Sequence, residues 1–352
     1  MPRFERVGNF EVNRDRAIGN GGFGVVYYAR DVSHSPPAEC AAKMMVLGSL
    51  CQRESVEHEV ACMRLVGGHP TIIKFLHYQE APHARGEAWV FLELATGGDL
   101  FDRLTDAGSL TEGSTRPYAV GLLSALNHCH CKGLVHRDVK LDNVLLSAED
   151  PFGVKLIDFG LAVQVPLKDD GSFLPDHRIY DGVGTKSYKA PEIFAPRSGY
   201  EAPPVDSWAL GITLFSLLAG FFPFDQANGA DWRYTQFTQG VRGDASACDV
   251  LFATYKRACT FSAPCKQLLD GLLCADPKAR LSVRAAAEHE WCKAPPVAFH
   301  SQQSADADGV EIVYRSCHDE RDRLDEALTE ALELPDEAVR VTRQVARLND
   351  DS

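Results

Sequence analysis

The chain of 352 residues contains no C-x-x-C pair among its 11 cysteines. An odd, scattered set of cysteines argues against a disulfide framework or a zinc knuckle and suits a reducing compartment. His128, Cys129, His130 and Cys131 are consecutive, but neighbours on a helix point in different directions and do not converge on one ion. No apolar run approaches the ~20 residues that a membrane-spanning helix needs. Met1-Pro2-Arg3-Phe4-Glu5 is charged from its start, so no secretory leader is expected, and Pro2 breaks the myristoylation motif. Positive charge is also short. A formal net charge of −13 argues against nucleic acid or an anionic membrane as the main partner. Internal repeats and low-complexity tracts are absent. These absences together predict a cytoplasmic or nuclear globular protein.

A hydrophobic content of 45% against 24% charged residues is enough to bury a sizeable core. Residues 10–30 alternate apolar and polar around a glycine cluster, which predicts two strands and a tight turn. Residues 38–47, 71–78 and 88–94 also read as strands. Residues 53–66 carry apolar positions at helical spacing, at Val56, Val60, Met63 and Leu65 or Val66. From about residue 96 the character changes to long apolar helices at 116–131, 205–220 and 263–274. The junction at Ala95 to Gly98 consists of small residues that suit a hinge. The fold class is therefore α+β, with a small β-rich lobe carrying one helix (10–95) and a larger helical lobe (96–292).

Four short motifs carry chemistry. Ile18-Gly19-Asn20-Gly21-Gly22-Phe23-Gly24-Val25-Val26 is glycine-rich, but strand-like sequence follows it where a dinucleotide fingerprint needs a helix. A glycine turn between strands makes a flap whose backbone can approach phosphates closely. Lys43 lies in an apolar strand and needs a counter-charge, which Glu59 in the following helix can supply. A structural ion pair is the plainer reading of these two alone. The stretches His136-Arg137-Asp138-Val139-Lys140-Leu141-Asp142-Asn143 and Ile157-Asp158-Phe159-Gly160 set acids and an amide in apolar surroundings. Carboxylate and amide oxygens together suit Mg²⁺ held with phosphates.

In this order, with Ala190-Pro191-Glu192 downstream, the motifs resemble those of the eukaryotic protein kinases. The match covers residues 10–292 and is most like the calmodulin-dependent and AMP-activated group. The resemblance implies a bilobal kinase fold, an ATP-dependent Ser/Thr protein kinase, and ATP with Mg²⁺. It implies Asp138 as catalytic base, Lys140 beside the transferring phosphoryl group, and Asn143 and Asp158 as Mg²⁺ ligands. Lys43, paired with Glu59, would hold the α- and β-phosphates. Adenine would meet the backbone of Glu93 and Ala95, between Val26, Ala41 and Leu145, with Leu92 as gatekeeper and Asp99 at the ribose. An apolar column of Met63, Phe75, His136 and Phe159 would stand on Asp206, and Arg280 would pair with Glu192. A scaffold without turnover is the competing class, but Lys43, Asp138 and Asp158 are all present.

Lys140 and Thr185 resemble the Ser/Thr type rather than the Tyr type. Asp99 and Asp142 sit where some kinases read a basic substrate residue, but Ser216 stands where a third acid would be. Asp181 falls where many kinases carry an activating phosphothreonine, and Arg137 is the partner that such a phosphate would have. The expectation is that the carboxylate of Asp181 stands in for it, against the plainer reading of a solvated loop acid. Protein substrates with Ser/Thr acceptors follow. Residues 297–352 hold 14 acidic residues and 6 arginines, a net of −8 (6 − 14). Leu324, Leu328 and Leu332, then Ala338, Val341, Val345 and Leu348 after Pro335, predict two amphipathic helices. Their acidity is wrong for a calmodulin target, which is usually basic. They are expected to dock on the kinase domain or on a partner.

Overall fold

The computed structural model describes residues 4–21, 24–80, 86–148, 153–241 and 245–293. Gly22 and Phe23 of the glycine flap, and the acidic segment 297–352, lie outside the described residues.

Strand β1 (Phe4–Val7) pairs antiparallel with β2 (Phe10–Gly21) across a two-residue turn at Gly8 and Asn9. Gly8 takes φ +58°, which glycine adopts without strain. The sheet thus begins at Phe4, ahead of residue 10, where the sequence reading starts the domain. Strands β3 (Gly24–Asp31) and β4 (Ala38–Val46), helix α1 (Leu50–Leu65), β5 (Phe75–Glu80) and β6 (Glu87–Glu93) complete the small lobe. The sheet order is β1-β2-β3-β4-β6-β5. Alternation places Phe10, Val12, Ala29, Cys40, Ala42, Trp89 and Phe91 in one buried cluster, where Phe10 and Phe91 stack 3.8 Å apart. Helix α1 is capped by Ser49, whose Oγ accepts from the Gln52 N–H at 3.2 Å. It buries Val56, Glu59, Val60 and Met63, one face at 3–4 residue spacing.

The predicted strand over 71–78 forms only from Phe75 onward. Thr71 and Ile73 spend their backbone bonds on Leu156 of the other lobe, at 2.9 and 3.1 Å. Periodicity does not reveal which neighbour a strand-like segment will choose.

The helical lobe opens with α2 (Leu100–Ala107), α3 (Glu112–Cys131) and the short strands β7 (Leu134–Val135), β8 (Val144–Leu146), β9 (Val154–Leu156) and β10 (Val163–Gln164). Strands β11 (Arg178–Ile179) and β12 (Tyr200–Glu201) pair antiparallel and flank the segment leading to Glu192. Helix α4 (Pro203–Ala219) is buried on every side from Val205 to Leu218. It stops at Gly220, φ +77°, where an added Cβ would lie 2.3 Å from the Gly108 carbonyl oxygen. Around α4 pack α5 (Trp232–Val241), α6 (Ala247–Thr254), α7 (Ala263–Leu272), α8 (Val283–Ala287) and α9 (Glu290–Lys293). Among the described residues, no helix is long and apolar enough to cross a membrane.

Candidate active site

The strand register assembles the upper half of the site. Gly21 faces Gly24 across the β2–β3 hairpin, with Gly19 opposite Val26 and Asn20 opposite Val25. Val26 in turn faces Lys43, and Ala41 faces Leu92. Gly19, Asn20, Gly21 and Gly24, with Val26, Ala41 and Lys43, therefore lie on neighbouring strands above the cleft, while Ile18 precedes them in β2. Helix α1 brings Glu59 to Lys43, Nζ to Oε1 2.6 Å, with side chains 11% and 5% exposed. Burial opposes the charge on Lys43, but Glu59 and Asp158 outweigh it and hold its pKa above the ordinary value. At the lobe junction, the Gly97 N–H donates to the Leu146 carbonyl at 3.0 Å and the Leu146 N–H to Gly98 at 2.8 Å. These bonds tie the segment holding Glu93 and Ala95 to Leu145 of β8. Asp99 caps α2, Oδ1 accepting from the Asp102 N–H at 2.8 Å. Burial with Asp102 and Asp142 nearby pushes its pKa up to about 7, against the opposing backbone bonds.

The lower half is built on Asp206. This wholly buried carboxylate accepts the N–H groups of His136 (2.9 Å) and Arg137 (2.8 Å) and the Nε2–H of His130 (2.8 Å). Burial alone would raise its pKa, yet these donors and the nearby His136 leave it lowered. They also hold Arg137 at φ +65°, a left-handed conformation costly for a side chain of that size. His136 donates Nε2–H to the Ile157 carbonyl (2.9 Å) and lies edge-on to the buried Phe159 ring at 5.0 Å. Met63 and Phe159 are buried, and Phe75 is half-buried beneath the Arg64 guanidinium.

Asp138 is the convergence point. Its Oδ1 accepts from the N–H and Oγ1–H of Thr185, at 2.9 and 2.7 Å. Its Oδ2 lies 3.2 Å from Lys140 Nζ and accepts from Asn143 Nδ2 at 3.0 Å. Lys140 Nζ also donates to Thr185 Oγ1 at 3.0 Å. Burial opposes ionisation of Asp138, but Lys140 and Thr185 prevail and its pKa is lowered. Asn143 gives its amide nitrogen to the Asp138 carbonyl as well, at 2.8 Å, which leaves its Oδ1 as an acceptor. Asp158, at φ +64°, accepts a long bond of 3.3 Å from Gly160 N–H and, among the described residues, no shorter one. An amide oxygen and a carboxylate with spare lone pairs are hard oxygen donors that fit Mg²⁺.

The downstream segment is fastened at both ends. Arg137 Nη1 donates to Asp181 Oδ1 and Oδ2 at 2.9 and 2.8 Å, and the Tyr200 hydroxyl donates to Oδ1 at 2.9 Å. Arg137 Nε holds the Leu161 carbonyl at 2.7 Å. At the far end, Arg280 Nη1 and Nη2 grip Glu192 Oε1 and Oε2 at 2.5 and 2.9 Å.

The structure therefore brings together Lys43, Glu59, Asp138, Lys140, Asn143, Asp158 and Thr185, and couples Arg137 to Asp181. Two contributors escaped the sequence reading. His130 was weighed only as a metal ligand, and among the described residues no metal-binding cluster forms. Tyr200 sits in a short strand without a local signal.

A β-rich lobe bearing a buried lysine–glutamate pair, set over a helical lobe with this aspartate centre, defines a kinase fold. The chain belongs to the protein kinase domain family, which matches residues 12–292. It is 30% identical over 324 residues to CBL-interacting serine/threonine-protein kinase 9 of Arabidopsis thaliana, covering 88% of this chain and 64% of the relative. It is 36% identical over 293 residues to CBL-interacting protein kinase 4 of Oryza sativa subsp. japonica, covering 82% and 58%. The chain thus spans less than two thirds of the length of these relatives.

Proposed function

We propose that the protein transfers the γ-phosphoryl group of ATP to Ser or Thr hydroxyls of protein substrates. The observation that carries this reading is the Asp138–Lys140–Thr185 triangle, closed while Lys43 and Glu59 are paired. Asp138 accepts the proton of the acceptor hydroxyl as its oxygen bonds to the γ-phosphorus and the bond to the β–γ bridging oxygen breaks. Lys140 offsets negative charge on the phosphoryl oxygens, and Lys43 holds the α- and β-phosphates. The backbone of the glycine flap covers the phosphates, and adenine packs between Val26, Ala41 and Leu145. Asn143 and Asp158 would hold Mg²⁺, which would supply charge neutralisation at the phosphates. Thr185 holds Lys140 against Asp138 and shapes the floor for a small aliphatic hydroxyl. Incubation with γ-labelled ATP and generic protein substrates, followed by phosphoamino-acid analysis, tests this. Label on serine or threonine is expected; label confined to tyrosine, or none, overturns it.

Asp181 is assigned the place of an activating phosphate. Arg137 and Tyr200 outweigh the effect of burial and hold its carboxyl below the ordinary value. The clamp is complete above that ordinary value and is lost only as pH falls through the lowered one, so it is intact at neutral pH. A carboxylate has less charge than the −1.5 to −2 of a phosphate, so the clamp is weaker but permanent. Protein free of phosphate on this segment is expected to be active, and Asp181→Ala, which removes the contacts from Arg137 and Tyr200, to lower kcat about tenfold or more. Inactivity of the unphosphorylated wild type would reject the assignment.

Residues 297–352 are assigned a docking role, on the kinase domain or on a protein partner. The acidic charge and the leucine spacing support it. The relatives carry the name CBL-interacting, and a CBL-type protein is the partner class to try first. Deletion of 300–352 is expected to change activity or partner pull-down; a truncated protein unchanged in both sinks the idea.

A further inference from the structure

Glu93, the last residue of β6, is held in three places where the lobes join. Its own N–H donates to the Lys74 carbonyl at 3.0 Å. Its Oε1 accepts the Lys74 N–H at 2.8 Å and lies 2.9 Å from Lys155 Nζ. Lys155 stands in the middle of β9, opposite Leu145 of β8. Val154 and Leu156 on either side of it are buried, whereas Lys155 and Leu145 are both half-buried. Residues opposite one another in paired strands project to the same face, so Lys155 shares its face with Leu145, the floor assigned to adenine. The segment before β5 closes a circuit. Thr71 and Ile73 bond to Leu156, next to Lys155, and Lys74 bonds to Glu93. Glu93, Lys74, Leu156 and Lys155 thus join the end of β6 to β9 in one ring of contacts. Beyond the hinge, Gly97 and Gly98 bond to Leu146. Only residues 94–96 lie between these two anchors.

We propose that Lys155 is a positioning residue for the nucleotide: through Glu93 it sets the hinge backbone against the Leu145 floor, across the gap that the adenine ring enters. This role rests on the ATP reading above, in which adenine meets the backbone of Glu93 and Ala95. With its amide and its carboxylate both held, Glu93 presents its carbonyl from a fixed place. The two Lys74 bonds hold Glu93 to the small lobe. The Lys155 contact comes instead from the strand that pairs with Leu145, so it refers the hinge to the other wall of the gap. The side chains of Lys155 and Glu93 are 23% and 27% exposed. An ion pair so open to water adds little stability, and what it supplies here is position. Asp138, Lys140 and Thr185 bond to one another, and Lys43 to Glu59, without any part of this ring. Lys155 therefore acts on the binding of the base and not on the transfer step. Binding that serves ground state and transition state alike appears in KM and leaves kcat unchanged.

The test uses the full chain. Calorimetric titrations with adenosine and with ADP, both without Mg²⁺, compare the wild type with Lys155→Met and Lys155→Arg, and thermal unfolding is measured alongside. Lys155→Met is expected to weaken both ligands by the same factor, about three- to fivefold, the upper range for a half-exposed ion pair. Its thermal unfolding should stay close to that of the wild type. Lys155→Arg, which can reach the same carboxylate, should restore the affinity. With labelled ATP, Lys155→Met should raise the KM for ATP by that same factor at unchanged kcat. Glu93→Gln keeps an acceptor for the Lys74 N–H but drops the charge. It should weaken adenosine to a similar extent, and adding Lys155→Met to it should cost little more. Unchanged adenosine affinity in Lys155→Met overturns the proposal while the ATP reading stands. A lowered kcat at unchanged KM, or a loss that Lys155→Arg does not restore, does the same. A wild type that binds neither adenosine nor ADP overturns the ATP reading itself, and the role of Lys155 with it.

Discussion

Asp138→Asn is expected to lower kcat by about a hundred- to ten-thousandfold, the range for losing a positioned general base. The substitution is close to isosteric, so the effect is chemical. An amide oxygen does not take the proton of the acceptor hydroxyl. The amide nitrogen also brings donors into a pocket of donors, since Thr185 N–H and Oγ1–H, Lys140 Nζ and Asn143 Nδ2 all point at Asp138. Phosphate incorporation under saturating ATP checks the result, with thermal unfolding measured alongside. The KM for ATP should change little, because Lys43, the glycine flap and the lobe junction do not involve Asp138. Equal turnover by variant and wild type would falsify the role of Asp138 and reopen the scaffold reading.

Arg280→Ala is expected to destabilise the fold by about 3–5 kcal/mol, the cost of breaking a buried ion pair from one side. Arg280 makes two charge-assisted bonds to Glu192, donates to the carbonyls of Pro204 and Cys274 at 3.0 and 2.8 Å, and lies 5.0 Å from the centre of the Trp208 ring. Removal leaves the Glu192 carboxylate in a poorly solvated site and a void against Trp208. Urea unfolding reads the change, and a double-mutant cycle with Glu192→Gln separates the pair from the packing. The total stability of a domain is typically about 5–15 kcal/mol. The variant should therefore sit near the edge of folding. A loss below about 1 kcal/mol would show the pair to be ornamental.

The residues of the candidate site stood out in the sequence because their chemistry is costly elsewhere. Lys43 in an apolar strand, and Asp138 and Asp158 among aliphatic neighbours, each need a partner or a ligand, and the motif spacing named the partner. The two lobes were legible because the hydrophobic period changes near Gly97. Other parts were not. The Gly8-Asn9 turn that starts the sheet was a readable hairpin signal, and it was passed over because the glycine cluster downstream dominated that region. The register that sends Thr71 and Ile73 to Leu156 depends on a segment 85 residues away, and no local pattern encodes it. His130 looked like part of a cysteine–histidine cluster. Its real partner, Asp206, is 76 residues further on, in a helix of largely apolar sequence.

The first turn of α4 acts as a common datum. Asp206 fixes the backbone before Asp138 and also the end of α3, and two residues earlier the Pro204 carbonyl receives Arg280, which steers Glu192. Proton acceptance and the seating of the acceptor segment are therefore referenced to the same few ångströms of backbone. A partner that leaned on this turn would detune both at once, in proportion.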